Sequence, residues 1–487
     1  MKLNSVQKLV MTCVVLAATG GNVACADPLP WLADPFAMDK KASGLVSSDL
    51  KPDTCFSPAD ISRKLLFSDV VIATLCHNPD TKAAYLNLVA QASSYATNYS
   101  AYFPNAAATI NGARTTSFAE PRTTSTTKGT GITMGMTLYD FGQREFKLEI
   151  AELALIAAGH SYNSTLQGMI ASALRGYYQL LTSQNAVDVA KESERYAKES
   201  YDAAVLRHRI GQVPLADELQ ARGSYSQALL ATEQAENQLS LDRAALAQLI
   251  GLSANSPVEV AEMDNKTLNT DPFGGNVERL MDEAKLKRYD LLATRAQIRG
   301  SEEALRSLKR ADLATISATA NMNLANNNLV LPNRSSARSQ GIGISVNIPI
   351  FTGFSQTYNE RAAQEQLDAQ REELVKTELS VEQDVWNSWH NFQTAKQSWQ
   401  TSQELMATAS QLKDVALGRY KEGLGTILDV LNAQSQYSNA LQSQLQSRYN
   451  LFTSRVDLVR AVGTLNLDTM RPDAPTDTSA SMVAIHE

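Results

Sequence analysis

The sixteen residues RHRIGQVPLADELQAR at 207–222 return without a gap as RYKEGLGTILDVLNAQ at 419–434. At this offset of 212 residues Arg207 meets Arg419, Gly211 meets Gly423, Asp217 meets Asp429 and Ala221 meets Ala433, and the register holds until Gly251 meets Gly463. Two copies of one unit must fold alike and pack with pseudo-symmetry, so the repeat fixes the architecture before any single motif is interpreted. The unit far exceeds the roughly 20–50 residues of a solenoid repeat. It points to two copies of one large hairpin-like half.

The length of 487 residues would allow about three domains by the usual prior, but the proline map argues against a row of globular modules. No proline stands between Pro121 and Pro214, or between Pro349 and Pro472. Nothing in those stretches removes a helical hydrogen bond, and their Ala, Gln, Glu, Leu and Lys favour very long helices. The net charge of −7 is modest and the cations are dispersed, so nucleic acid is not expected as a partner. The five histidines are scattered, with His486 near the end, and there is no glycine-rich phosphate loop. No catalytic residue, cofactor or metal site is expected.

The amino terminus has the form of a secretory signal over 1–26: Lys2 and Lys8, an apolar stretch from Leu9 to Ala18, and Ala24-Cys25-Ala26 as a cleavage site. An acylated Cys25 is the alternative, although Asn22 stands where a lipoprotein signal favours an apolar residue. Removal of the signal leaves Cys55 and Cys76. In an oxidising compartment these are expected to form a disulfide, contributing about 3 kcal/mol by closing their loop. A zinc site using His77 beside Cys76 would need further ligands.

After a helical stretch from about Ile61 to Tyr102, broken near Asn78-Pro79, the period changes. Ile132, Met134, Met136 and Leu138 alternate with small polar residues, and at the repeat offset so do Ile344, Val346, Ile348 and Ile350. Weaker partner strands precede them at 106–117 and 314–325. The polar segments AEPRTTSTTKGT and NNLVLPNRSSARSQ are expected as the joining loops. Strands of about ten residues with one apolar face match outer-membrane barrel strands, the alternative being a half-buried soluble hairpin. Each hairpin leads through an aromatic and glycine turn into a helix of about 66 residues, long enough for roughly 100 Å. Seams such as Tyr162, Leu166 and Met169, or Val385, Trp389 and Phe392, would pack these helices along their length.

The expected fold is mainly α with a small β part. It has an N-terminal extension (27–60), a first repeat (61–251), a connecting segment (252–275), a second repeat (276–463) and a tail (464–487). The first repeat divides into a β-hairpin (106–140), long helix (143–208), tip (209–216) and return helix (217–250); the second into a β-hairpin (314–351), long helix (355–420), tip (421–426) and return helix (427–462). Gly211, Pro214 and Gly423 mark the tip turns. Four strands cannot close a barrel and open edges are not tolerated in hydrocarbon, so several protomers must combine.

From about residue 60 to 465 the chain resembles the TolC family of outer-membrane channels. The resemblance rests on Asn78-Pro79, the turns at Tyr139 and Phe351, and two tips in which glycine precedes aspartate by six residues. It implies a homotrimer whose twelve strands form one barrel in outer-membrane lipid, continued by an α-helical tunnel through the periplasm. It also implies a periplasmic adaptor (membrane fusion protein) and an inner-membrane ABC transporter or proton-driven pump as partners, and no catalysis.

In the best-known member, two aspartates one turn apart on the second tip form an acidic ring. Here Asp429 matches the first and Asn432 stands at the second, so three carboxylates in place of six imply a weaker cation block. Tyr420 and Asp217 match a closing pair of that member. Gly425 and Ala216 stand where a second closing link would need an arginine and a threonine. Beside these roles, Asp217 and Asp429 sit in first helical turns where a carboxylate favours the dipole, Tyr420 could serve as a seam residue, and Gly423 and Gly425 would supply backbone freedom. The cysteine pair before His77-Asn78-Pro79 resembles the type I secretion branch. The function implied is therefore the exit duct of a tripartite system for type I protein secretion, with a multidrug or small-molecule efflux component as the alternative. A structural coiled-coil envelope protein would explain the helices but not the four strands.

Overall fold

Two helices of 67 residues each, free of proline and glycine-capped at one end, dominate the molecule. The computed structural model describes residues 34–51, 55, 64–120, 123–261, 276–329 and 334–467. The signal expected at 1–26 with Cys25, the larger part of the connecting segment expected at 252–275, and the tail beyond 467 lie outside the described residues.

The order of elements repeats. Ahead of the first hairpin come α1 (Met38–Ser43), α2 (Phe67–His77) and α3 (Pro79–Ser100), then β1 (Asn105–Ser117), β2 (Thr123–Tyr139), α4 (Gln143–Arg209) and α5 (Leu215–Leu249). The second half runs α6 (Val277–Lys287), α7 (Tyr289–Leu308), β3 (Thr315–Leu329), β4 (Arg334–Asn347), α8 (Ser355–Lys421) and α9 (Ile427–Val462). Asn78 starts α3: its side-chain oxygen accepts from the Asp80 N–H at 2.7 Å, and Pro79 occupies the first helical position, where no N–H is needed.

At 1.5 Å per residue α4 and α8 each reach about 100 Å. Such helices are stable only when packed along a side, and α5 lies against α4 while α9 lies against α8, the two hairpins meeting through α4 and α9. The largest apolar cluster sits where α2, α4, α5 and α9 come together, with the rings of Tyr178 and Phe452 stacked at 4.3 Å. Leu166 is buried there with Tyr162 and Met169 against it, and Val385 and Phe392 are buried in a second cluster with Trp389.

Cys55 and Cys76 are joined in a disulfide across 21 residues, tying the N-terminal extension to α2. Loop closure of that size contributes about 3 kcal/mol. Replacing both cysteines by serine is therefore expected to lower the denaturant midpoint of the oxidised protein to that of the reduced parent, and to leave the variant insensitive to dithiothreitol.

The four strands form one antiparallel sheet in the order β1-β2-β3-β4. With 13, 17, 15 and 14 residues they exceed the expected ten. The segments expected as loops are largely strand, since Thr123–Thr130 belongs to β2 and Arg334–Gln340 to β4. An alternation test detects a strand only where one face is apolar, and here both faces are polar. Conversely β4 stops at Asn347 although apolar spacing continues through Ile348 and Ile350, because Pro349 has no N–H for a ladder. Between β2 and β3 the register slips from Thr137↔Ser317 to Tyr139↔Ile316, a bulge that leaves Leu138 without a ladder partner.

Candidate functional site

The two hairpin tips turn by the same chemistry. At the end of α4 the N–H groups of Gly211 and Gln212 donate to the carbonyls of His208 and Arg207, both at 2.9 Å, and at the end of α8 those of Gly423 and Leu424 donate to Tyr420 and Arg419 at 3.1 and 2.8 Å. These bonds require a left-handed residue just past the helix, and Gly211 and Gly423 have φ of 74° and 76°. Gly425 does not adopt positive φ, so its expected role in backbone freedom is not met. A Cβ at Gly425 would lie in ordinary contact, 3.4 Å from the Cβ of Arg419. Pro214 precedes the first residue of α5.

Beneath the tips Ala204, Ala221, Tyr420, Ile427 and Val430 form a buried apolar cluster that joins the two hairpins. The Tyr420 hydroxyl has turned into this cluster and has no hydrogen-bond partner. The expected pair between Asp217 and Tyr420 is therefore not made within the protomer. Asp217 lies half-buried in the first turn of α5, its N–H bonded to the Pro214 carbonyl at 3.1 Å.

Arg207 makes the crossing instead. Its guanidinium carbon lies 4.3 Å from the centre of the Tyr420 ring, and its Nη2 donates to the carbonyls of Tyr420 at 3.0 Å and Lys421 at 3.3 Å. Those carbonyls end α8, where intrahelical partners run out and a cation is favoured. Farther from the tip Gln434 donates to Ser200 Oγ at 2.8 Å, Ser193 and Ser438 hydroxyls meet at 3.1 Å, and the Lys413 ammonium sits 4.2 Å from the ring centres of both Tyr196 and Tyr437. A column of polar contacts thus ties α4 to α8 and α9. The sequence placed Arg207 opposite Arg419 in the repeat but assigned it no role, since a cross-hairpin contact has no signature in spacing.

Asp429 closes a reciprocal cap at the start of α9: its carboxylate accepts from the Thr426 N–H at 3.0 Å and hydroxyl at 2.8 Å, while Thr426 Oγ1 accepts from the Asp429 N–H at 3.2 Å. The Thr426 N–H, then its hydroxyl, and after partial desolvation has worked the other way the charge of Arg419, hold Asp429 below the ordinary aspartate range. Asp429 and Asn432 are both exposed, one turn apart, and line a groove of about 250 Å³ with Arg419, Gly425 and Gln436. A larger cleft of about 750 Å³ higher up is lined by Arg460 and by charges already paired with one another, Arg288 with Asp290 and Asp384, and Arg175 with Asp457.

At the opposite end, the sheet leaves its apolar face uncovered. Register puts Ile110 on β1, Ile132, Met134 and Met136 on β2, Met322 and Leu324 on β3, and Ile342, Ile344 and Val346 on β4 on one face, all exposed. Exposed aromatics gather where this band meets the helices, with Tyr139 against Phe141 at 4.7 Å and Phe351 against Phe354 at 5.4 Å. The opposite face carries only Asn, Thr, Ser, Ala and Gly at alternate positions 105–117, 125–137, 315–325 and 337–347. An apolar band edged by aromatics and backed by polar residues is the surface of a strand set between lipid and water. Among the described residues no helix is long and apolar enough to cross a membrane.

The family model described as Outer membrane efflux protein matches residues 70–252 and 280–464, one block per repeat. The chain is 24% identical over 461 residues to Protein CyaE of Bordetella pertussis, spanning 94% of this chain and 95% of that protein. It is 26% identical over 319 residues to Outer membrane protein TolC of Escherichia coli, spanning 63% of each. A solved structure of CusC superposes with a TM-score of 0.71 at 17% identity, covering 86% of this chain and 97% of that one.

Proposed function

The chain belongs to the outer membrane efflux protein family, and on that premise we propose that it is the trimeric exit duct of a tripartite system for type I protein secretion. It is a non-catalytic channel of the outer membrane, reaching into the periplasm. The edges of β1 and β4 are open within an apolar band, where unpaired backbone groups are not tolerated; three protomers supply twelve strands and close the ring. The helices continue the barrel toward an adaptor and an inner-membrane transporter, which provides the energy.

A protein cargo is supported by the polar face of the sheet, which becomes the lumen and holds no charged residue at the positions named above. An extended polypeptide carries both signs of charge, and an uncharged lining retains neither. The Cys55–Cys76 disulfide adds support through the branch it resembles, and the similarity to CyaE, covering 94% of this chain, takes in that segment. Cross-linking from the tips in living cells is expected to capture an adaptor together with an ABC transporter. A proton-driven pump in its place would favour small-molecule efflux, and no transporter at all would favour a structural envelope role.

In the trimer Asp429 forms a ring of three carboxylates and Asn432 a neutral ring one turn away. Asn432→Asp is expected to strengthen block by a trivalent cation at least tenfold in planar-bilayer recordings, and Asp429→Asn to abolish it. Because the pKa of Asp429 is depressed, its charge and cap persist as pH falls through the ordinary aspartate value of about 3.9 and are lost only below it. Block by the parent channel should therefore survive at pH 4.

A further inference from the structure

Beyond the apolar band, on the same face and toward the strand-joining loops, stand Arg114, Lys128 and Arg338, all exposed. Each lies four residues past the last apolar residue of its own strand: Ile110 to Arg114 on β1, Ile132 to Lys128 on β2, and Ile342 to Arg338 on β4. At about 3.3 Å per residue each cation is roughly 13 Å farther along its strand than the edge of the band. On the ladder the three run obliquely along the edge of the band, Arg338 facing Leu324, Lys128 facing Gly112 and Asn326 two residues farther out, and Arg114 facing Thr126 two residues beyond that. No aspartate or glutamate occurs in the four strands, and the polar face has no cation at its described positions. The two ends of the band also differ: the helix side is bordered by the Tyr139–Phe141 and Phe351–Phe354 pairs, and the loop side by these cations with the single aromatic Phe118 among the described residues.

We propose that this rim binds the phosphate groups of a phosphorylated glycolipid in the outer leaflet, with the acyl chains lying along Ile110, Ile132 and Ile342. Neighbouring strands are about 4.8 Å apart, so Lys128 and Arg338, two strands away, are spaced to hold separate phosphates of one headgroup, and Arg114 lies diagonally beside Lys128. Guanidinium groups suit this role because their planar forks match phosphate oxygens in pairs. Exposed past the edge of the band, the three cations stand at the headgroup level, where their attraction for phosphate is screened by salt. The proposal rests on the apolar face being the lipid face and is independent of the cargo.

The test titrates the purified trimer in neutral detergent with bis-phosphorylated lipid A and counts bound lipid by native mass spectrometry, against the variant Arg114→Gln/Lys128→Gln/Arg338→Gln. The parent should retain lipid A at least tenfold more tightly than the variant and than the dephosphorylated glycolipid, with the difference shrinking at high salt. Equal retention by parent and variant, or equal retention of the dephosphorylated lipid, overturns the site. Equal retention of phosphatidylglycerol shows that the rim reads charge alone and overturns the glycolipid assignment. Should the triple variant fail to form trimers, Lys128→Gln alone is measured, with a loss of at least threefold expected and no loss counting against the proposal.

Discussion

Arg207→Ala is expected to raise the single-channel conductance of the trimer severalfold and shorten its closed dwell times, whereas Asp217→Ala combined with Tyr420→Phe should leave both near the parental values. Arg207 holds the end of α8 by a stacked guanidinium and two carbonyl bonds, while the Tyr420 hydroxyl holds nothing. Its stacking is worth about 0.5–2 kcal/mol and its charged hydrogen bonding about 1.5–3 kcal/mol. If opening separates α4 from α8, each protomer loses roughly 2–5 kcal/mol of closing free energy in the variant. Three protomers acting together exceed the roughly 5.5 kcal/mol that moves a two-state equilibrium from 1:99 to 99:1. Arg207→Lys keeps the charge but not the planar fork, and should fall between. Parental conductance in Arg207→Ala, with an increase in the double variant, would return the gate to the pair suggested by resemblance.

That contrast shows where sequence stops being informative. The repeat, the helix ends and the disulfide were legible because each follows from local rules: a missing proline, a glycine where φ must be positive, two cysteines left after export. The apolar parts of the strands were legible because alternation marks a half-buried face. Their outer halves were not, since Thr123–Lys128 and Arg334–Gln340 are polar on both sides and present no period of polarity. At the tip, the repeat identified the right segment and placed Asp429 in a first helical turn, but the reciprocal cap it closes with Thr426 was not read. The partner of Tyr420 could not be read, because the ring is rotated into Ala204, Ile427 and Val430 by packing between segments more than 200 residues apart in sequence. Arg207 fills the space that rotation leaves over the ring.

The sheet offers a sharper test, because adjacent residues of β4 should fail in different ways. Ile344 lies within the apolar band opposite Ala318, and Ser345 points to the other face, where its hydroxyl meets that of Ser317 at 2.9 Å. An arginine at the bilayer midplane of a barrel costs about 2–4 kcal/mol, so Ile344→Arg carries roughly 6–12 kcal/mol across three protomers. That is comparable to the whole stability of a domain, about 5–15 kcal/mol. Ile344→Arg should therefore reduce heat-modifiable trimer in the outer-membrane fraction to a few per cent of the parent. Ser345→Arg should assemble normally and shift the open channel toward anions, since a ring of three guanidiniums would then line an otherwise uncharged lumen. Equal assembly of the two variants would mean that the apolar face does not meet lipid, and the glycolipid rim would fall with it. Equal loss would mean that β4 tolerates no bulk on either face, and a Ser345→Gln control separates size from charge.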